Sequence, residues 1–396
     1  MTTVPEDTTP QSATVPWRST TVQVVLASTF LAPLGVPLIS PALPVVRDQF
    51  GITDATASLL ISVYFLTGIV LSPLIGMLAD RVGRRRVLVV SLFAFSLSGG
   101  ALAFVGSFDL LLAIRLVQGT AAAGIFIATV TLIGDAFSDV QRNAVLGVNN
   151  AMLSAGAAAY PLVGGALVAV AWNAPFLAYF AGLPVAVFAF LTLEEPVTDR
   201  EPRRLVYIRN ALSTLSGRST AVYFGSAFAT EVLLFGSVLT ALPFLLTAQY
   251  GLSPVGIGLV VTAAEVVSIV VSSQNGRLAR SLSNRLLVAG GFASFGIGLV
   301  GTWLAPTALF VGVAVTFVGA GLGLSMPSVD AAISGLVSDR YRAGALSIRN
   351  STTFLGRSLG PVLFAGLALT TGYRPLLLGA GLAAFAWSLV VLLATR

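Results

Sequence analysis

The segment GMLADRVGRRR, residues 76–86, sets one aspartate and four arginines between two long apolar stretches. One stretch covers roughly residues 58–79 and the other roughly 87–105. Each is close to the length of about 20 apolar residues that a helix needs to cross a bilayer. The segment is therefore predicted to be a short charged loop between two membrane-spanning helices.

The whole chain has the composition of an integral membrane protein. Of its 396 residues, 56% are apolar and only 10% are charged, whereas about 25% of the residues of an ordinary soluble domain are charged. Glycine and proline are abundant, and both are commoner in membrane helices than in soluble ones. We therefore expect an all-α membrane protein.

Three missing residue types narrow the chemistry. The chain has no cysteine, no histidine and no lysine, so that all 22 of its basic residues are arginine. Thiol, imidazole and Schiff-base chemistry are thereby excluded, as is the Gly-Lys-Ser/Thr loop with which ATPases hold phosphate. We expect no cofactor, no metal site and no enzymatic activity, and any energy source would be an ion gradient or the gradient of the substrate itself.

Twelve apolar stretches of membrane-spanning length follow one another with short connections. Residues 1–20, rich in Thr and Pro, are expected to form a disordered tail, and residues 194–219, which mix acids with arginines, a linker. These bounds leave one six-helix bundle at 21–193 and a second at 220–396. The predicted spans, numbered 1 to 12, cover roughly residues 22–43, 58–79, 87–105, 110–133, 144–169, 176–193, 220–246, 254–274, 286–304, 308–333, 344–369 and 376–394.

The arginines are distributed very unequally between the two sides of the predicted membrane. Seventeen of them fall on one side, here called the arginine-rich face, and only Arg47 and Arg374 on the other. The positive-inside rule then predicts that both termini are cytoplasmic, in the plasma membrane. The sequence pI near 10.2 therefore reflects topology, and we expect no binding of nucleic acid.

The two halves of the chain match at a constant offset of 200 residues. Six helices repeated in the same orientation imply two halves related by an axis along the membrane normal, an arrangement that supports alternating access. The matched pairs include Gln49 and Gln249, Gly51 and Gly251, Gly76 and Gly276, Arg85 and Arg285, Gly119 and Gly319, Arg142 and Arg342, Asn150 and Asn350, Gly156 and Gly356, and Pro161 and Pro361.

Every third predicted span is free of charge. Spans 3, 6, 9 and 12 contain no charged and no amide side chain, whereas charges at membrane depth fall in spans 4, 7, 8, 10 and 11. An ionisable group in hydrocarbon costs at least about 2.5–3.5 kcal/mol at the helix centre. The uncharged spans are thus expected to face lipid, and the charged spans to surround an interior that is the candidate site.

The charged segment after span 2 resembles the signature of the major facilitator superfamily, which lies between helices 2 and 3 of that family. The resemblance implies twelve transmembrane helices in two pseudo-symmetric six-helix bundles. The matching residues are Gly76, Leu78, Ala79, Asp80, Arg81, Gly83 and Arg84.

The resemblance also implies a gate at this segment. Asp80 would face the N-terminal end of span 11, while Arg84 would pair with an acid at the end of span 4, here Asp135. Both interactions are physically favourable, because a helix N-terminus and a guanidinium each stabilise a carboxylate. The alternative is that the arginines only anchor the topology. In the copy that starts at Gly276, Arg280 replaces the aspartate.

Two further spans carry patterns similar to motifs of the family. Arg115 and Gln118 in span 4 are three residues apart and share a helix face. The resemblance implies that Arg115 assists proton transfer or orients the substrate; a structural arginine capped by backbone carbonyls is the alternative. The glycines around Pro161 in span 5 resemble the Gly-rich motif of the drug:proton antiporter branch, with Tyr160 where that motif has glycine, although helix packing alone could explain them.

Glu231, Glu265 and Arg357 lie near the middle of spans 7, 8 and 11. A poorly hydrated interior favours the neutral form of a carboxylic acid and a nearby guanidinium favours the carboxylate, so movement of one against the other would change the affinity for a proton. We predict proton coupling by these residues together with Arg115; a permanent buried ion pair is the alternative. Asp330 lies at a depth where Arg349 could reach it.

These features predict a secondary transporter, most similar to the drug:proton antiporter branch, that exports lipophilic small molecules, cations among them, by alternating access. Its partners would be the substrate, a proton or sodium ion and membrane lipids, and we expect a monomer. The first alternative is a proton-coupled importer of a sugar or small organic anion, with Arg115 and Arg357 holding the anion, and the second is a non-transporting scaffold or receptor. The predicted substrate-binding residues are Tyr64, Phe65, Gln118, Phe126, Asn150, Tyr160 and Phe235.

Overall fold

The computed structural model describes residues 14–137, 139–196, 215–338 and 342–395. Within these ranges the chain is helical, without a β-strand, and twelve helices are long and apolar enough to cross a membrane. The predicted all-α membrane fold is thus confirmed. Most of the predicted tail, residues 1–13, and most of the predicted linker, residues 197–214, lie outside the described residues, so the four domain bounds stay a prediction.

Six helices form the first half of the molecule. They extend beyond the predicted spans at their polar ends, because hydropathy detects only the part of a helix that lies in hydrocarbon. The charged segment is therefore not the loop that was predicted: residues 76–82 end α2, residues 84–86 start α3, and Gly83 alone separates the two helices. The helices are α1 (Thr20–Phe50), α2 (Asp54–Val82), α3 (Arg84–Ala101), α4 (Phe108–Ala136), α5 (Asp139–Val170) and α6 (Ala174–Thr192).

Six further helices repeat this order in the second half. They are α7 (Arg218–Tyr250), α8 (Pro254–Leu278), α9 (Asn284–Leu304), α10 (Ala308–Gly335), α11 (Arg342–Thr371) and α12 (Tyr373–Ala394).

The repeat is visible in local geometry. Gly51 ends α1 with φ +61° and Gly251 ends α7 with φ +60°, a left-handed backbone that favours glycine. Thr53 and Ser253 then cap the next helix of each half by accepting a backbone N–H bond through the side chain. Residues 200 positions apart therefore start and stop equivalent helices.

The first helix of each half is irregular at the same place. In α1, two short 3₁₀ segments occur at Ala32–Gly35 and Ser40–Ala42, and in α7 a π-helical segment occurs at Leu234–Ala241. The sequence did not predict these segments, because hydropathy does not distinguish types of helix. Such segments are frequently found at functional sites, and here both lie where the halves meet.

The two halves contact each other through two equivalent helix pairs, α2 with α11 and α8 with α5. The Ser358 hydroxyl donates to the carbonyl oxygen of Ser62 at 3.0 Å, and the Thr262 hydroxyl donates to that of Ala158 at 2.8 Å. Residues 62 and 262, and residues 158 and 358, are related by the 200-residue offset. The interface therefore follows the same pseudo-twofold symmetry as the fold.

Helices α3, α6, α9 and α12 pack mainly against helices of their own half. On α3 and the 3₁₀ turn that follows it, for example, Val90, Leu97 and Phe104 lie seven residues apart and are 66%, 52% and 76% exposed, which makes one apolar outward face. This position is the one expected of lipid-facing helices.

The halves are closed against each other on the side opposite the arginine-rich face. There, the Ser40 hydroxyl of α1 donates to the carbonyl oxygen of Leu239 in α7 at 2.8 Å, and the Tyr373 hydroxyl of α12 donates to Asp54 of α2 at 2.7 Å. All residues from Leu233 to Leu246 on α7 are buried.

Candidate functional site

A buried ion pair links α7 to α11 at mid-depth. The Arg357 guanidinium donates to both carboxylate oxygens of Glu231, from Nε at 3.0 Å and from Nη2 at 2.9 Å. Such bidentate pairs are among the stronger charge-assisted contacts. The side chain of Glu231 is 1% exposed and that of Arg357 is 30% exposed.

Two glycines on α11 make this pair possible. A Cβ atom on Gly356 would lie 2.7 Å from the carbonyl oxygen of Phe228, and one on Gly360 would lie 2.8 Å from that of Val232. Both distances are shorter than real side chains allow, so larger residues would push α11 away from α7. The glycine-rich stretch seen in the sequence therefore sets how close the guanidinium comes to the carboxylate.

Three phenylalanine rings surround Arg357. Its Cζ atom lies 5.4 Å, 5.6 Å and 5.7 Å from the ring centroids of Phe235, Phe65 and Phe354, within the range of cation–π attraction. The predicted residue Phe126 joins this group through Phe354, with ring centroids 6.5 Å apart. Phe354 was not predicted from the sequence, although its position three residues before Arg357 on α11 places it on the same helix face.

Glu265 lies on α8, close to the contact between the halves. It is 8% exposed, and the part of the chain that the structure describes offers it no hydrogen bond or ion pair. One helical turn away, Thr262 makes the contact to α5. A carboxyl group without a partner thus sits near the interface that must rearrange if the halves move.

Asp330 and Arg349 form a second ion pair, closer to the arginine-rich face. Nε of Arg349 lies 2.7 Å from a carboxylate oxygen of Asp330, as the sequence led us to expect. In this pair the acid is the exposed partner, at 43% against 10% for the arginine.

Arg115 on α4 is fully buried and bonded to the backbone. Nε donates to the Leu60 carbonyl at 2.9 Å and Nη2 to the Gly35 carbonyl at 2.6 Å, while Nη1 reaches Gln118 at 2.8 Å and Tyr179 at 3.3 Å. This arrangement favours the structural alternative, because these donors hold the irregular part of α1 against α2 and α4.

The predicted substrate-binding residues fall into separate places. Tyr64 lies between Arg115 and the phenylalanine rings around Arg357. Its ring is 4.6 Å from Cζ of Arg115 and 5.0 Å from the ring of Phe65. Gln118 is fully buried beside Arg115. Tyr160 donates its hydroxyl to the Phe30 carbonyl of α1 at 3.0 Å.

Asn150 on α5 is exposed. The adjacent Asn149, which was not predicted as a site residue, is 5% exposed and accepts a hydrogen bond from Thr29 of α1 at 2.6 Å. Adjacent residues on a helix point about 100° apart, so sequence alone could not choose between them. A role of Asn150 in substrate binding stays a prediction.

The charged segment forms an ion-pair network at the end of α2. Arg84 donates to Asp80 at 2.7 Å and to Asp135 of α4 at 2.9 Å, so the expected contact between Arg84 and Asp135 is present. The contact expected between Asp80 and the start of α11 adjoins residues 339–341, which lie outside the described residues. Arg81 is exposed, and Gly76 faces only Ile127 at van der Waals distance.

Glu195 adds a contact that was not predicted from the sequence. Its carboxylate accepts the backbone N–H groups of Arg84 and Arg85, at 2.5 Å and 2.9 Å, and so caps the start of α3. Gly83 has φ +100°, and a Cβ atom there would lie 2.6 Å from this carboxylate. The signature glycine therefore leaves the space in which Glu195 binds.

Comparison with known proteins matches nearly the whole chain to one family. The family model of the Major Facilitator Superfamily matches residues 25–236 and 220–396. The chain is 26% identical to the bacillibactin exporter of Bacillus subtilis (strain 168), over 84% of this chain and 86% of that protein, and 26% identical to the quinolone resistance protein NorA of Staphylococcus aureus (strain MRSA252), over 87% and 89%.

Solved structures share the fold at low sequence identity. A bacterial homologue of the human lysosomal transporter Spinster, in an inward-facing and occupied conformation, superimposes with a TM-score of 0.80 at 16% identity, covering 97% of this chain and 98% of that one. The nucleoside transporter NupG gives a TM-score of 0.80 at 11% identity, covering 96% and 100%. Together with the family match over nearly the whole chain, the twelve helices and the pseudo-symmetric halves show that this chain belongs to the Major Facilitator Superfamily and is a multi-pass membrane transporter, not an enzyme.

Proposed function

We propose that the protein exports lipophilic small molecules from the cytoplasm in exchange for protons. It would work as a monomer in the plasma membrane, with both termini and the arginine-rich face on the cytoplasmic side. Relatives that bear the names of a bacillibactin exporter and of a quinolone resistance protein support export. The charge asymmetry of the loops supports the orientation.

The pair of Glu231 and Arg357 carries the proposal. The two side chains come from different helices, and the rings around Arg357 include Phe65 of the other half. Movement between the halves would withdraw Phe65 from Arg357, and a bend of α7 at its π-helical segment, Leu234–Ala241, would change the distance between guanidinium and carboxylate. In this proposal Glu231 carries the proton while it is separated from Arg357 and gives it up when the pair forms again. Glu265, which is buried and has no hydrogen bond or ion pair among the described residues, is the second proton carrier.

Alternating access would use the symmetric interface. The bonds from Ser40 to Leu239 and from Tyr373 to Asp54 close the side opposite the arginine-rich face. Their loosening, with movement at the contacts of α2 with α11 and of α8 with α5, would open that side. Asp80, held by Arg84, would close the arginine-rich face in turn by meeting the start of α11, as the signature implies. The irregular segments of α1 and α7 are the places at which these helices would bend.

The energy available is sufficient for concentrative export. One elementary charge that enters down about 100 mV supplies about 2.3 kcal/mol, which supports roughly fifty-fold accumulation. A sodium ion could supply the same energy, so the coupling ion has to be measured directly.

The contacts of Arg115 weaken the alternative that the protein imports a sugar or an organic anion. It was based on Arg115 and Arg357 as holders of an anion, and Arg115 donates to backbone carbonyls and buried side chains instead. No contact of the described residues favours a scaffold or a receptor over a transporter.

The test is substrate-driven proton movement in proteoliposomes. Purified protein is reconstituted with a pH-sensitive dye, and accumulation of a fluorescent lipophilic compound is followed under an imposed proton gradient or an equal sodium gradient. We expect the proton gradient alone to drive uphill transport, and the double variant Glu231→Gln and Glu265→Gln to retain only downhill movement. Asp109→Asn, at an exposed acid of α4, is the matched control.

Uphill accumulation by the double variant at the wild-type level would refute the proposed coupling. Accumulation driven by sodium alone would replace the proton by sodium, and inward counterflow of a sugar without proton movement would favour the importer.

A further inference from the structure

In the ion pair at mid-depth, the positively charged Arg357 is the partner that is exposed between the halves. The side chain of Arg357 is 30% exposed, whereas that of its partner Glu231 is 1% exposed. Glu265, the other acid at this depth, is 8% exposed. A molecule that enters this space therefore meets a guanidinium, and both carboxyl groups lie behind protein atoms.

The exposed part of Arg357 faces the interior of the molecule and not the lipid. Its aromatic neighbours are Phe65 of α2, Phe235 of α7 and Phe354 of α11, which belong to both halves. Because rings from both halves surround the guanidinium, the surface left open lies between the halves.

Arg357 also retains hydrogen-bond donors for a ligand. The pair with Glu231 uses Nε and Nη2. The N–H groups of Nη1 have no partner in the described parts of the chain. A guanidinium offers its donors in a flat fork that matches a carboxylate.

Aromatic surface continues next to these donors. Ring centroids are 5.0 Å apart for Phe65 and Phe235, 6.1 Å for Phe65 and Phe354, and 6.5 Å for Phe126 and Phe354. Rings at such distances offer edges and faces to a further aromatic ring. Apolar surface and a cationic fork thus lie side by side.

We propose that the site selects aromatic molecules that carry a carboxylate, and that Arg357 binds this carboxylate. This inference rests on the proposed function in that it names the substrate class of the same site. This substrate class differs from the lipophilic cations that were considered from the sequence. A cation bound here would be repelled by the exposed positive charge of Arg357.

The second ion pair does not change this assignment at mid-depth. Asp330 is the exposed member there, but its partner Arg349 precedes Arg357 by eight residues on α11, which is about 12 Å along a helix. An amine on the far end of a substrate could approach Asp330 while the carboxylate is held by Arg357. A zwitterion of that length is compatible with the site, whereas an aromatic monocation without a carboxylate is not favoured.

The test is binding to the purified protein in nanodiscs, measured by calorimetry with three ligands of one skeleton. They are 2-naphthoate, N,N,N-trimethyl-2-naphthylammonium and neutral 2-naphthamide. We expect naphthoate to bind about tenfold more tightly than the ammonium compound, the ratio that a difference of about 1.4 kcal/mol gives. Binding of naphthamide reports on folding of each variant, because it needs no charge.

Two variants separate recognition from structural support. Arg357→Ala should lose naphthoate binding by about tenfold and bind the ammonium compound more tightly, because Glu231 and three phenylalanine rings then form an aromatic cage for a quaternary ammonium group. Glu231→Gln should tighten naphthoate binding by roughly threefold, because the competing internal carboxylate is removed.

The inference is overturned if the wild-type protein prefers the ammonium compound, or if Arg357→Ala leaves the ratio of the two charged ligands unchanged while naphthamide still binds. Equal loss of naphthoate binding in Arg357→Ala and Glu231→Gln would mean that the pair only joins α7 to α11. Binding needs no ion gradient, so this result is independent of whether export is proton-coupled.

Discussion

The Tyr373 hydroxyl and the Asp54 carboxylate join the two halves of the transporter at the ends of α12 and α2, with 2.7 Å between donor and acceptor. Asp54 also accepts a bond from Arg47 at 2.9 Å. The Arg47 guanidinium lies 5.7 Å from the ring centroid of Phe244, which stacks on Tyr373 at 6.0 Å. Two residues of each half thus form a closed set of contacts on the side opposite the arginine-rich face.

Removal of the Tyr373 hydroxyl is expected to open this side more often. A hydrogen bond to a charged group contributes about 1.5–3 kcal/mol, so Tyr373→Phe should raise the open population by roughly tenfold or more. The chain has no cysteine, and Ser40→Cys therefore places one thiol at a contact between the halves. The measurement is the rate at which an impermeant maleimide labels this thiol from the side opposite the arginine-rich face.

Tyr250→Phe is the matched control for this experiment. The Tyr250 hydroxyl donates to the Ala305 carbonyl at 2.8 Å within the second half, so its loss should leave the labelling rate near that of the parent protein. Equal acceleration by both tyrosine variants would show that the bond from Tyr373 has no specific role in closure.

A methyl group at Gly258 is expected to separate α8 from α5. Its Cβ atom would meet the carbonyl oxygen of Pro161, and backbone atoms cannot move aside as a flexible side chain can. Gly258→Ala should therefore disfavour the closed state and speed labelling of the same thiol. Gly366→Ala on α11, where a Cβ atom meets open space, should have no such effect, and similar rates in the two variants would contradict the expected role of this contact.

Gly83→Ala should destabilise the start of α3. At φ +100° a side chain is strained, and such backbone strain costs on the order of 1–3 kcal/mol; the new methyl group would also displace the carboxylate of Glu195. We expect a lower midpoint of thermal unfolding in detergent. Gly276→Ala, at the equivalent position of Gly76 in the repeat and in open space, should leave the midpoint unchanged or raise it. A wild-type midpoint for the Gly83 variant would exclude this role.

Arg115→Lys tests whether Arg115 acts through its charge or through its geometry. Lysine keeps the charge but cannot donate at once to Leu60, Gly35 and Gln118 from a planar fork. Because buried carbonyls would lose their partners, we expect a loss of about 3 kcal/mol in the free energy of unfolding. Leu116→Ala, at a 37% exposed neighbour, should cost much less. Wild-type stability and transport in the lysine variant would favour a role of the charge itself.

Much of the fold was predictable from single residues and their spacing. The glycines at 51 and 251 and the capping residues at 53 and 253 mark equivalent helix boundaries, and the charged segment at 76–86 identified the family. These features act locally, through backbone conformation and hydration, so a linear pattern is enough to recognise them. The contact of Arg84 with Asp135 followed from the family resemblance.

The candidate site was only partly predictable. Glu231, Arg357, Phe65 and Phe235 were identified as polar or aromatic groups at membrane depth, but Phe354 was missed. The sequence also left the role of Arg115 open, because it does not show that carbonyl groups of an irregular segment in α1 accept its donors.

The sequence by itself determined that the chain spans a membrane, repeats after 200 residues and carries acids and arginines where lipid would exclude them, because hydration cost and helix length depend only on the order of residues. Tertiary structure alone decided which acid pairs with Arg357, which member of that pair is exposed, and that Arg115 is tied to the backbone. Those outcomes depend on how closely two helices approach each other. That distance is set where glycines of one helix face backbone carbonyls of the other.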